Sequence, residues 1–198
     1  MFYIIIGITG FLVLHIVDFV SIKRIPLLKP LIWISGGGLW LYSLVRVCLD
    51  AEKLSLPVWS SWFGWVLLAI SIVIFIYALF VNLPFRKTYV DKGVGDKLIK
   101  TGLYALARHP GAIWFILFML SLILVSESKL MFVAAPIYMV LNTLLVVIQD
   151  KVFFPRMFAG YDIYQKETPM LFPNRRSINA FIGSLQQEKT RSGLQGGK

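Results

Sequence analysis

Cysteine occurs once in this chain, at Cys48. That excludes an internal disulfide and a multi-cysteine metal site, and no metal is expected. Cys48 sits near the end of an apolar run and reads as a small packing side chain. Histidine occurs twice, and only ten acidic residues face twenty Lys and Arg. Long polar stretches are lacking too, so no water-soluble catalytic domain fits between the apolar runs. No internal repeat is visible. The first apolar run has neither a basic leader nor a small-residue cleavage site, so it reads as a retained helix and not a signal peptide.

What is there is hydrocarbon. Of 198 residues 58% are hydrophobic, against roughly 45–50% in soluble domains, and the mean hydropathy is +0.75. The apolar residues lie in blocks: Phe2 to Val20, Leu31 to Leu49, Trp62 to Leu83, Gly111 to Val125 and Leu130 to Ile148. A spanning helix needs about 20 such residues, with a range near 17–25. The fourth block is short for that, and fits as one arm of a hairpin with the fifth. The expectation is an all-α, polytopic membrane protein with five transmembrane helices. Residues 1–176 form a single membrane domain, with a core at 64–176, followed by an amphipathic or disordered tail at 177–198.

The charges orient these blocks. Lys23, Arg24 and Lys29 separate the first two; Arg86, Lys87, Lys92, Lys97, Lys100 and Arg108 separate the third and fourth. Lys151, Arg156, Lys166, Arg175, Arg176, Lys189, Arg191 and Lys198 follow the fifth, whereas the other two connections hold only Lys53 and Lys129. Basic residues mark the cytoplasmic side. Five spans with the N-terminus outside therefore put every basic segment, and the C-terminus, in the cytoplasm. The same asymmetry accounts for the net charge of +10 without nucleic acid, and anionic headgroups attract such segments.

Within the first run His15 and Asp18 share a helical face and are expected to satisfy each other among neighbouring helices. Ser35-Gly-Gly-Gly38 is expected to allow close helix approach. Gly93-Val-Gly95 reads as an ordinary turn, since it opens no helix of a βαβ unit. Pro155 predicts a bend near Val152–Phe154 in a segment whose aromatics recur at threes and fours, as on an interfacial helix. Pro169 and Pro173 end that segment. Ile178, Phe181, Ile182 and Leu185 predict one more short surface helix, and the polar tail from Gln186 is expected to be disordered.

The chemistry-bearing residues gather by spacing. The fourth and fifth runs are joined by only a few residues around Glu127–Lys129, so their helices must be antiparallel neighbours. With the turn near Ser128, His109 falls opposite about Ile148–Asp150. Tyr104, Arg108, His109, Gln149 and Asp150 then meet at the basic end, and Asn142 lies one heptad deeper on the Gln149 face. Ionisable groups at the edge of hydrocarbon are costly and usually have a task. Arg108 and His109 suit a carboxylate, Asp150 a cation, and the aromatics a flat ring.

Gly102-Leu-Tyr-Ala-Leu-Ala-Arg-His-Pro110 resembles the Gly-x-Tyr-x-x-x-Arg-His-Pro signature of the isoprenylcysteine carboxyl methyltransferase and phospholipid methyltransferase group. Tyr161-x-x-Tyr164 with Pro169 resembles that group's downstream segment, and Gln149-Asp150 falls where the group has paired glutamates. The resemblance covers roughly Gly64 to Arg176. It departs from the pattern at Ala112, Trp114, Gln149-Asp150 and Gly160, which leaves the cofactor frame recognisable and the acceptor undefined.

The resemblance implies S-adenosylmethionine as methyl donor. Ile99, Tyr104, Arg108, His109, Pro110, Gln149 and Asp150 would line its site, with His109 and Asp150 as candidate catalytic groups. Asn142 and Trp114 would lie toward a lipid-like or small apolar acceptor. Methyl transfer depends largely on alignment and exclusion of water. An NADPH-dependent membrane reductase of the sterol-reductase type carries a similar Arg-His-Pro element and is the alternative reading. A non-enzymatic membrane protein retaining the fold is the third.

Overall fold

A computed structural model describes residues 1–23, 25, 27–81, 83 and 98–195; the side chains of 79, 81 and 187–195 are not described. Arg24, Arg86, Lys87, Lys92, Lys97, Lys198 and the Gly93-Val-Gly95 turn lie outside the described residues. Among the described residues the protein is helical, save for one isolated bridge between Lys53 and Ser128.

The helices follow the apolar runs in order. They are α1 (Phe2–Leu14), α2 (Ile16–Lys23), α3 (Leu28–Cys48) and α4 (Val58–Ile76), the last continued by a π-helical turn, Tyr77–Val81. Next come α5 (Leu103–Leu106), α6 (Pro110–Ser126) and α7 (Lys129–Ile148), which runs into a second π-helical turn, Gln149–Phe153. The chain ends in α8 (Phe154–Met157), α9 (Tyr161–Glu167) and α10 (Arg175–Gln195).

Four segments are long and apolar enough to cross a membrane: Phe2–Lys23, Leu28–Cys48, Val58–Ile76 and Lys129–Met157. The fifth apolar helix, α6, has 17 residues and so spans about 26 Å at 1.5 Å per residue, against a hydrocarbon core of about 30 Å. Its start is fixed by Pro110 in the first turn and a non-helical His109 before it. The residues that would have lengthened it build a site instead.

A shared core joins α1, α3, α6 and α7 through Ile4, Phe11, Val47, Phe115, Met119, Met131 and Tyr138. Much of the remaining apolar surface faces outward. Trp59, Trp62, Phe63 and Trp65 on α4 are exposed, the placement expected of an aromatic belt at a membrane–water interface. One glycine does most of the close packing expected of Ser35–Gly38. A Cβ on Gly36 would come within 3.0 Å of the Gly10 carbonyl oxygen, whereas Gly37 and Gly38 face open space. Ser43 bridges the helices by donating to the Tyr3 carbonyl at 2.6 Å, and it lies 2.6 Å from the Tyr138 hydroxyl.

The α6–α7 turn lies where the short linker requires. Glu127 takes a left-handed conformation, and Ser128 caps α7 by accepting from the Met131 amide at 3.0 Å. Two expectations are corrected. His15 and Asp18 do not satisfy each other: His15 Nδ1 lies 2.6 Å from the Phe11 carbonyl oxygen, while Asp18 takes Gln149 of the π turn. The helix is interrupted at His15 between α1 and α2, which sends the two side chains to different partners. The tail beyond Gln186 continues α10 to Gln195, its Gln, Glu, Lys and Leu residues being good helix formers.

Candidate functional site

The site forms where the segment before α6 meets the prolonged end of α7. Gly102, at φ 60° and ψ −139°, starts α5 in a backbone region that suits glycine. Its amide receives no ladder partner and donates to Ser184 Oγ of α10 at 3.3 Å. Beyond α5 the chain is extended, and it pairs with the strap after α9. The Arg108 amide donates to the Pro169 carbonyl (2.9 Å) and the His109 amide to the Met170 carbonyl (3.1 Å). From the other side, Pro155 lacks an N–H and cannot close an ordinary helical bond. The chain upstream of it, Gln149–Phe153, adopts the wider π turn.

Asp150 is the hub. Arg108 donates to it as a fork, Nε to Oδ1 at 2.7 Å and Nη2 to Oδ2 at 2.8 Å. Tyr161 Oη donates to Oδ1 at 2.7 Å. Gln165 Nε2 donates to the Asp150 carbonyl at 2.8 Å and to Oδ2 at 3.3 Å. The remaining Arg108 nitrogen, Nη1, donates to the carbonyls of Gln165 (3.0 Å) and Thr168. A carboxylate offers about four acceptor positions, and here all four are taken. The pair is buried, with side-chain exposures of 8% and 4%.

Burial works against the charge of Arg108, but the Asp150 carboxylate outweighs it and holds the guanidinium above its ordinary value. The Tyr161 phenol is pushed well up, first by burial and then by the facing carboxylate; burial does the same to Tyr164. Both phenols are therefore neutral donors at physiological pH.

His109 stands beside this hub. Its Nε2 lies 3.3 Å from Asp150 Oδ1 yet misses hydrogen-bond geometry, and it is a buried nitrogen without a hydrogen-bond partner. Phe154 stacks on the ring, with centroids 5.3 Å apart and planes 14° apart. Phe154 in turn meets Tyr161 and Phe158 edge-on. An imidazole fixed by stacking, with Nε2 facing a carboxylate oxygen at 3.3 Å outside hydrogen-bond geometry, can offer or accept one hydrogen bond and can move a proton.

The structure thus brings Arg108, His109, Pro110 and Asp150 together. Arg108 and Asp150, however, spend their charges on each other. Gln149 turns away to Asp18. The Tyr104 hydroxyl donates to the Ala78 carbonyl at 3.2 Å, and its own carbonyl accepts from Tyr164 Oη at 2.5 Å. Tyr104 therefore ties α5 to the end of α4 and to α9. Ile99 and Trp114 are half-buried, and Asn142 carries a buried Oδ1 without a partner, deeper along α7. Gln165, Thr168 and Phe154 were not anticipated. Tyr161, Tyr164, Gln165 and Thr168 stand at i, i+3, i+4 and i+7, one face of a helix, and that spacing is the signal that could have found two of them. Among the described residues no cluster of three metal-ligating side chains occurs.

A family profile described as "Protein of unknown function (DUF1295)" matches residues 32–167, more than half of the chain, including Arg108, His109, Asp150, Tyr161 and Gln165. The chain belongs to the DUF1295 family. No curated protein and no solved structure matches it. In this DUF1295 protein the matched range runs from α3 through α9 and ends at Glu167, the last residue of the helix that carries Tyr161 and Gln165.

Proposed function

We propose that this protein is a five-span membrane enzyme that transfers a methyl group from S-adenosylmethionine to a lipid-like or small apolar acceptor at the cytoplasmic face. The observation that carries the reading is the His109 imidazole, buried at the basic end of an apolar bundle with Nε2 unpartnered and its plane set by Phe154. The Gly102-to-Pro110 motif gives that imidazole its family context.

The residues fit such a donor in part. His109 and the rings of Phe154 and Tyr161 fit a polar ligand that carries a flat base. Arg108 and Asp150 do not fit as direct ligands for its carboxylate and amine, because each already saturates the other. Their role is to fix the non-helical segment before α6 and to hold His109 against Phe154. When bound, the donor supplies an electrophilic methyl group. Among the described residues of the site, His109 is the group that would take the proton of a neutral acceptor as the methyl carbon's bond to sulfur breaks, releasing a neutral thioether, and its bond to the acceptor forms. The apolar walls of α6 and α7 exclude water and admit an acceptor from the bilayer.

One observation favours a second reading. With Asp150 closed, an ammonium group finds no free carboxylate in the hub, and a nicotinamide cofactor would not need one. Calorimetric titration of the purified protein in detergent with S-adenosylmethionine and, separately, NADPH decides between them. We expect the methyl donor to bind wild type and to lose affinity in His109→Ala. NADPH binding without donor binding would move the assignment to a reductase, and binding of neither would remove the enzymatic reading.

A further inference from the structure

We propose that Asp18 is a positioning residue for the His109 site, acting from outside the family-matched range through Gln149. Asp18 is 7% exposed and accepts from Gln149 Nε2 at 2.8 Å across 131 positions of sequence. Gln149 is the first residue of the π turn, and the next residue is the hub, Asp150. The two neighbours point to different elements. Gln149 reaches α2, while Asp150 reaches the segment before α6 and α9.

A π turn is a rare, weakly favoured conformation, so tertiary contacts add to Pro155 in holding it. Here it is held on one side by Asp150 and its donors and on the other by the single bond to Asp18. A buried carboxylate at a membrane edge is costly to keep. This one is held by the Gln149 amide and lies within electrostatic reach of Lys29 on α3 and His15; Lys29 is itself buried. Without the Asp18 bond the Gln149 end of the turn is released, and Asp150, still held by its own donors, shifts within their reach and changes its 3.3 Å approach to His109. The N-terminal helices thereby set the geometry of a site to which they contribute no side chain directly.

The catalytic consequence rests on the methyl-transfer reading, but the geometric consequence does not, and the test separates them. With two histidines in the chain, ¹⁵N-histidine NMR of the protein in detergent shows two imidazoles, and the His109 signal is assigned by its loss in His109→Gln. Asp18→Ala and Gln149→Met should each move the His109 ring resonances in the same direction, and the double variant should move them no further. Asp18→Asn, whose Oδ1 still accepts from Gln149, should leave them in place. Gln149→Met keeps volume and apolar character, so it reports even where Asp18→Ala fails to fold. An unmoved His109 signal in folded Asp18→Ala or Gln149→Met, whatever the change in Tm, overturns the proposal. In the ligand arm, Asp18→Ala should weaken S-adenosylmethionine binding about tenfold and Asp18→Asn should not. A wild type that binds no donor removes the methyl-transfer reading and leaves the imidazole result standing.

Discussion

Arg108 meets Asp150 through two parallel bonds, a geometry that lysine cannot reproduce. Replacing Arg108 by Ala strands a buried carboxylate, which typically costs about 3–5 kcal/mol, and Arg108→Lys should recover only part of the loss. Thermal unfolding in detergent measures both, and equal Tm values for the two variants would argue against the fork. His109→Ala should differ in kind. It removes a ring whose Nε2 lies 3.3 Å from Asp150 without a geometrically sound hydrogen bond, so the fall in Tm should be smaller than for Arg108→Ala while ligand affinity is lost. Tyr161 adds a pH signature. Its phenol is raised by burial and by Asp150, so its contribution to stability is present below the ordinary tyrosine value of about 10 and is lost as pH rises through the folded value. Tyr161→Phe should cost about 1 kcal/mol at neutral pH and should delete a late-titrating phenol from the alkaline absorbance titration. Loss instead of a phenol that titrates near the ordinary value of about 10 would mean that Tyr161 ionises normally.

Two elements show how local chemistry becomes architecture. Pro155 removes the amide that would continue α7, and the chain answers with the π turn that aims Gln149 one way and Asp150 another. Pro155→Ala returns that amide and favours ordinary helical register. We expect helicity by circular dichroism to hold or rise while ligand affinity falls, and affinity unchanged from wild type would show that the turn is fixed without proline. The α1–α3 contact depends on Gly10, where a Cβ would stand 2.7 Å from both the Gly36 carbonyl oxygen and the Trp40 amide nitrogen. Those are backbone atoms and cannot swing aside. Gly10→Ala should therefore destabilise by about 1–3 kcal/mol, read as a lowered Tm, whereas Gly37→Ala, which meets nothing, should not.

At the scale of the whole molecule, the described basic residues divide the bundle into two ends. Arg46, Lys53 and Lys129 lie at one, Arg46 donating to the Tyr3 hydroxyl at 2.6 Å, Lys53 to the Ser126 carbonyl at 3.0 Å and Lys129 to Glu52 at 3.3 Å. The hub and α8 to α10 lie at the other. With the proposed orientation, in a Cys48→Ser background, Ala51→Cys should react with an impermeant thiol reagent in intact cells. Phe172→Cys, at an exposed position, should react only after permeabilisation. The reverse pattern would invert the orientation and place the hub outside.

Much of this was legible in the chain. Blocks of apolar residues fix membrane helices because unpaired backbone in hydrocarbon is prohibitive. The short linker at Glu127–Lys129 fixed the α6–α7 hairpin, and counting along it set His109 level with Asp150. Spacing could not say how side chains at one level would pair. Arg108 and Asp150, read as free partners for a ligand, close on each other because a buried charge finds its nearest opposite. Gln149, read as part of the site, leaves it for Asp18, 131 positions away. That choice, and with it the unpartnered nitrogen of His109, belongs to the tertiary structure, because it depends on which helix stands behind the π turn, and no local pattern encodes that.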